Sequence, residues 1–272
     1  MTINCKGTLI DLTKPKVMGI LNVTPDSFFD GGKYKNEHDI LAQTEKMLNE
    51  GATFIDVGAY SSRPGAKHIT EEEELQRMLP VVELLMEHFP EILISVDSFR
   101  SRVVEESING GAAIINDISG GKMDEKMFEM VAKLQVPYIM MHMQGTPQSM
   151  QQNPQYENVV TDVISFFAEQ LFKLRQLKVN DVIIDVGFGF GKTIEQNYEL
   201  LKNLSLFKNL EVPILTGVSR KSMLYKLLGT TPQEALNATT VANTIALLNG
   251  TQILRVHDVK EAVEAVKIVE QL

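Results

Sequence analysis

One cysteine is all that the 272-residue chain contains. An internal disulfide is therefore excluded, and Cys5 has no second Cys or His at metal-ligand spacing, so it reads as inert. Long apolar runs are also missing. None approaches the roughly 18 residues that span a bilayer, and Met1 to Asp11 lacks the charged, apolar and small-residue order of a secretion signal. A reducing cytoplasm is the expected compartment. Basic residues are in deficit: 26 Lys and Arg against 35 Asp and Glu leave a net charge of -9. That balance excludes a broad nucleic-acid or anionic-membrane surface, whose affinity comes from cations displacing phosphate counterions. Any anionic ligand must meet a local basic cluster. With 44% hydrophobic and 22% charged residues, disorder is excluded and one large core is expected.

What is present is an alternation. Short β-branched runs at Val17 to Leu21, Phe54 to Val57, Ile92 to Val96, Ala113 to Asn116, Val136 to Met141, Val182 to Val186, Val212 to Leu215 and Gln252 to Val256 read as strands. Amphipathic stretches at Ile40 to Glu50, Glu71 to His88, Lys126 to Lys133, Val159 to Leu177, Pro232 to Asn249 and Val259 to Leu272 read as helices. Eight such units point to an α/β fold, a single (β/α)8 barrel over residues 1–272, because parallel strands buried on both faces are nearly continuous apolar runs. Residues 1–14 read as an extension in which a hairpin covers the barrel bottom. An open doubly wound sheet is the competitor, but the glycine fingerprint of its dinucleotide form is absent after the first strand.

Polar chemistry gathers at strand C-terminal ends. Asn22 to Gly32 is too long for a tight turn and carries hard oxygen donors in Asn22, Asp26 and Asp30, which suit Mg2+ if a ligand supplies the remaining oxygens. Taken singly, Asn22 and Asp26 fit turn or helix caps as well. Ser61-Ser62-Arg63-Pro64-Gly65 looks like an oxyanion grip, although a lone Arg in a turn is more often solvated. Asp97, Asn116, Asp117 and Asp185 end strands and on a barrel face one mouth, where a carboxylate needs a cation or several N-H donors. Ser98 or Asp117 alone reads as a helix cap. Gly187-Phe188-Gly189-Phe190-Gly191-Lys192-Thr193 fails the phosphate-loop pattern at Val186 and the dinucleotide pattern at Lys192, so its glycines read as permitting close ligand approach with Phe190 as an apolar wall. Ser219, Lys221, Arg255 and His257 follow the last two strands, where barrels often bind phosphate. Arg255 and His257, two apart in a strand, are expected to present donors to one anion. The bland readings are a solvated Lys221 and a satisfied core His257. His142 reads as structural, and the thirteen methionines, Met140 and Met141 among them, read as core filler, one of which could line an aromatic-ligand pocket.

From about Lys16 to the C-terminus these segments, in this order and spacing, resemble the dihydropteroate synthase family of pterin-binding barrels. Two departures are Ser62, where the family usually has Thr, and Ala59-Tyr60, which replaces a commoner Gly-rich or polar pair at the edge of the aminobenzoate site. The resemblance implies an alkyl transfer in folate biosynthesis, in which a dihydropterin methyl diphosphate and 4-aminobenzoate give dihydropteroate and diphosphate, at a site that sulfonamide mimics address. By resemblance, Asp97, Asn116, Asp185 and Lys221 bind the pterin, with Met140 and Phe190 as apolar contacts. Arg63, Arg255 and His257 hold the diphosphate, Ser219 and Lys221 border the aminobenzoate, and Ser62 and Pro64 are further substrate-binding residues of the second loop. Asn22, helped by Asp26 and Asp30, holds Mg2+. Asp97, Asp185, Lys221, Arg255 and His257 are the expected catalytic set. A homodimer is also implied, with the apolar faces of Ala238 to Leu248 and Val259 to Val269 as candidate interfaces. The rivals are a corrinoid-linked pterin methyltransferase, which would not need the Arg255 and His257 anion pair, a Schiff-base aldolase using Lys221, and a noncatalytic pterin-binding homologue.

Overall fold

The computed structural model describes residues 1–23, 37–62, 68–150 and 154–272. A hairpin of β1 (Thr2–Cys5) and β2 (Thr8–Asp11) precedes eight barrel strands: β3 (Lys16–Asn22), β4 (Phe54–Gly58), β5 (Ile94–Asp97), β6 (Ile114–Asp117), β7 (Tyr138–Met141), β8 (Val182–Asp185), β9 (Ile214–Thr216) and β10 (Ile253–Val256). Each pairs in parallel with its neighbour, and β10 closes on β3. The outer helices are α1 (Glu37–Asn49), α2 (Glu71–His88), α3 (Ser101–Asn109), α4 (Met127–Leu134), α5 (Val159–Gln176), α6 (Ile194–Lys202), α7 (Ser222–Tyr225), α8 (Leu236–Leu248) and α9 (Val259–Val269).

The eight expected strands are all present, with ends shifted by one or two residues. Three helices went unread: α3, α6 and the single turn α7, which at four residues is too short to show a helical period. α3 opens on Arg100 without a side-chain cap, which removes the usual start signal. α6 does carry one: Thr193 and Gln196 form a reciprocal capping box. The last two helices are shorter than the apolar periodicity suggested. α8 begins at Leu236 rather than Pro232, and α9 ends at Val269.

The hairpin plugs the barrel's N-terminal end. Ile3, Cys5 and Leu12 are buried in one cluster with Met18, Phe54, Ile114, Ile139, Ile183, Leu215 and Ile253, each such side chain contributing roughly 1.5–3 kcal/mol by leaving water. Asn4 N-H donates to the Asp181 carboxylate at 3.0 Å and Lys6 Nζ to the Gly111 carbonyl at 2.9 Å, tying the hairpin to barrel loops. Burial pushes the Cys5 thiol up to about 12, so it stays a protonated, unreactive core group.

Strand alternation then decides what reaches the mouth. The residues after this bottom layer on the same face are Asp56, Ser95, Asn116, Met141, Asp185 and Arg255, while their neighbours pack outward against helices. Met140 is one of those neighbours. It pairs with Ile184 and belongs to the outer cluster of Tyr138, Val163, Phe166 and Phe167, so the expectation of Met140 as a ligand contact is corrected. Met141, one residue on, pairs with Asp185 and clusters with Phe190, Met143 and Ile118. Asp117 likewise faces outward, accepting from Ser119 and Gly121 N-H (both 2.7 Å) and from Tyr138 O-H (2.8 Å). It holds a turn rather than the mouth.

Candidate active site

Asp56 is the centre of the mouth's hydrogen-bond network and carries no exposed surface. Its oxygens accept from Ser95 Oγ at 2.6 Å, Asn116 Nδ2 at 3.2 Å and Arg255 Nε at 2.6 Å. Because the amide nitrogen of Asn116 serves Asp56, its carbonyl oxygen is left for a ligand's N-H. Arg255 Nη2 donates to Asp97 at 2.7 Å. One guanidinium thus joins two carboxylates, and among the described residues its Nη1 has no hydrogen bond. Burial pushes Asp97 up to about 7; Arg255 opposes the shift and Asp56 reinforces it.

Arg255 and His257 take different protein partners. β10 ends at Val256, and the ion pairs with Asp56 and Asp97 claim Arg255. His257 turns to Ser219: Ser219 Oγ and His257 Nδ1 lie 3.0 Å apart, and the His257 N-H donates to the same Oγ at 3.2 Å. When the Ser219 hydroxyl donates to Nδ1, the imidazole proton sits on Nε2. The intervening Arg220 faces away, in a bidentate pair with Asp258 (2.8 Å for both bonds) and onto the Pro232 and Gln233 carbonyls. This bracing fixes the β9 and β10 loops against each other.

On the opposite wall, Asp185 is 5% exposed and accepts from Gly187 N-H at 2.8 Å. Burial raises its pKa, against the pull of the Lys221 charge. Lys221 Nζ donates to the Phe188 carbonyl and lies 4.6 Å from the centre of the Phe190 ring. Burial lowers its pKa to about 8, with Asp185 opposing. Lys221 is therefore no solvated surface lysine. Asn22, at the end of β3, places its amide oxygen 3.4 Å from where a Cβ on Gly58 would stand, beside Asp97. Ser62 is partly buried at the foot of its loop. Arg63, Pro64, Asp26 and Asp30 lie outside the described residues.

Three contributors escaped the sequence reading. Asp56 had a signal: an acid on the inward face of an apolar strand, in the same Ile-Asp-Val-Gly setting as Asp185. Met141 differed from Met140 only in register. Lys192 breaks the dinucleotide pattern in the sequence, and in the structure its side chain is buried.

A barrel mouth with inward acids, an amide oxygen and two cations defines a barrel protein whose site fits a small polar ligand that carries both hydrogen-bond donors and negative charge. A family model described as pterin binding enzyme matches residues 18–257. The dihydropteroate synthase of Escherichia coli (strain K12) is 45% identical over 272 residues, covering 99% of this chain and 96% of that protein. That of Haemophilus influenzae is 42% identical over 270 residues, with 98% of each covered. Among solved structures, Yersinia pestis dihydropteroate synthase in a sulfonamide drug complex superposes with a TM-score of 0.95 at 44% identity, covering 100% of this chain and 98% of that one. Xanthomonas albilineans dihydropteroate synthase with 4-aminobenzoic acid gives 0.91 at 36% identity, covering 99% and 97%. The chain belongs to the pterin-binding enzyme family, and within it to the dihydropteroate synthases, transferases of the pterinylmethyl group. The methyltransferase, aldolase and noncatalytic readings give way to that assignment.

Proposed function

We propose that this mouth binds the dihydropterin ring between Asp185, Asn116, Asp97 and Lys221, and holds the diphosphate with Arg63, Arg255 and His257. The observation that carries this reading is the Arg255 guanidinium. It is held rigidly by Asp56 and Asp97 through Nε and Nη2, which leaves Nη1 for a diphosphate oxygen. Asp185 and the Asn116 carbonyl accept from ring N-H groups, and Met141 and Phe190 supply apolar contact. Ser219 and Lys221 border the aminobenzoate, with Ser62 and Pro64 as further substrate-binding residues of the second loop.

In the reaction, the bond from the pterin methylene carbon to the diphosphate oxygen breaks, and the amine of 4-aminobenzoate forms the new bond at that carbon and gives up a proton. No enzyme nucleophile is needed. The carboxylates of Asp97 and Asp185 offset positive charge spreading into the ring, and Arg255, His257 and Arg63 stabilise the leaving group. Among the described residues no cluster of three acidic, His or Cys side chains is placed to hold a metal. Asn22 nevertheless offers a hard amide oxygen at the mouth, which fits Mg2+, a cation that takes few protein ligands and completes its shell with diphosphate oxygens and water. Bound there, Mg2+ would neutralise leaving-group charge. We also place the enzyme in the cytoplasm, consistent with its one unpaired cysteine and with the absence, among the described residues, of a helix able to cross a membrane. It acts as a homodimer on this reading.

The test is diphosphate release by the purified protein with Mg2+ and dihydropterin methyl diphosphate, with and without 4-aminobenzoate, and product mass. Aminobenzoate-dependent release with dihydropteroate formed is expected. Tight pterin binding without release would overturn the catalytic reading.

A further inference from the structure

Lys192 is 3% exposed, and no step of the reaction uses it. A buried ammonium must be surrounded by acceptors. Its Nζ lies 3.0 Å from the Gly187 carbonyl, 3.0 Å from the Phe190 carbonyl, 3.0 Å from His142 Nδ1 and 3.3 Å from the His142 carbonyl. The three N-H donors of the protonated amine thus meet four acceptors, drawn from the turn after β8 and from the residue that follows β7, while burial lowers its pKa to about 7 against the pull of Asp185. Burial and the nearby Lys192 and Lys122 charges hold His142 down to about 2, so its imidazole is neutral and its Nδ1 can accept. Edge-on packing of the His142 ring against Phe166, with centroids 5.0 Å apart, fixes that nitrogen's direction.

The turn wrapped around Lys192 carries three features of the pterin wall. Gly187 N-H orients Asp185, the Phe188 carbonyl receives Lys221, and the Phe190 ring lies under the Lys221 ammonium. The wrapping is tight. A Cβ on Gly187 would stand 1.9 Å from the His142 carbonyl oxygen, and one on Gly191 would stand 2.5 Å from the Gln144 carbonyl oxygen.

We infer that Lys192, with His142 as its fixed acceptor, is a positioning residue for the pterin site: its ammonium folds the turn from Gly187 to Phe190 so that Asp185 and Lys221 meet the ring. It does not touch substrate. The inference rests on the assignment of the pterin to Asp185 and Lys221.

The test reads KM for each substrate separately, together with calorimetric binding of 6-hydroxymethylpterin. Lys192→Met removes the donor to the His142 and Phe190 carbonyls and one of the two donors to the Gly187 carbonyl, which keeps the Phe190 N-H. The expected result is a rise of tenfold or more in KM for the pterin diphosphate and a matching loss of pterin affinity, with a smaller rise in KM for 4-aminobenzoate, which meets this turn only through Lys221. His142→Leu, which keeps Lys192 but removes one acceptor, should shift the same constant by a smaller factor. His142→Asn, whose amide oxygen can occupy the Nδ1 position, should restore it. These two variants carry the test if Lys192→Met does not fold. A folded Lys192→Met with native pterin KM, or equal effects of His142→Leu and His142→Asn, would overturn the inference. An Asp185→Asn variant with unchanged pterin binding would instead overturn the assignment on which it rests.

Discussion

Arg255 compensates two carboxylates inside the barrel, one of them fully buried. Its truncation therefore does more than remove a contact to a leaving group. Arg255→Ala is expected to cost on the order of 3–5 kcal/mol of stability, because it strands Asp56 as an uncompensated buried charge. It should also lower turnover by about 100-fold or more through lost charge stabilisation. The two effects separate in a double variant. Arg255→Ala with Asp56→Asn should recover most of the melting temperature and none of the turnover, and recovery of both would show that Arg255 serves the fold alone. Seen from the sequence, Arg255 and His257 were recognisable as functional cations by their place after the last strand. The pairings were not, since Asp56 and Ser219 lie 199 and 38 residues away along the chain.

At the scale of elements, the turn joining β8 to α6 shows how a glycine's cost depends on its neighbours. Gly187 and Gly229 both have positive φ, +70° and +64°, but nothing lies within 4 Å of where a Cβ on Gly229 would stand, whereas Gly187 abuts the His142 carbonyl. Gly229→Ala should cost about 1–2 kcal/mol, the left-handed penalty alone. Gly187→Ala must also push two backbone segments apart. A larger fall in its melting temperature and a weakened pterin affinity are expected, while Gly229→Ala binds pterin normally. Equal thermal and binding effects in the two variants would contradict this account. Strands were readable because doubly buried strands are continuous apolar runs, and long helices because one face repeats at helical spacing. The nine-residue α3 lacks a capping side chain and offered neither length nor a start signal. The register that turns Met141 inward and Met140 outward was also hidden, because both are equally apolar.

At the scale of the whole molecule, α9 is not a free apolar face. Val259, Ala262, Ala265 and Val266 are buried in the cluster that holds β3 and β10, leaving Ile268 as its exposed large apolar side chain. α8 differs. Val241, Ile245 and Leu248, at helical spacing, are 52%, 38% and 57% exposed, a row that suits self-association. Sedimentation of the native protein should give a dimer, and Val241→Glu with Ile245→Glu should halve the mass. A native monomer would remove the dimer from the proposal.

The sequence by itself determined the barrel, the plugging hairpin and the family, because these follow from local patterns: apolar runs of strand length, helical periodicity, and polar motifs at strand ends in a set order. It also marked most of the charged residues now found at the mouth. Only the tertiary structure decided which charges neutralise one another, which of two adjacent methionines faces inward, and why Lys192 can be buried. Those depend on distances between residues far apart in the chain. Closing eight strands into a ring sets those distances, by bringing β4, β5 and β10 around one guanidinium and the ends of β7 and β8 around one ammonium.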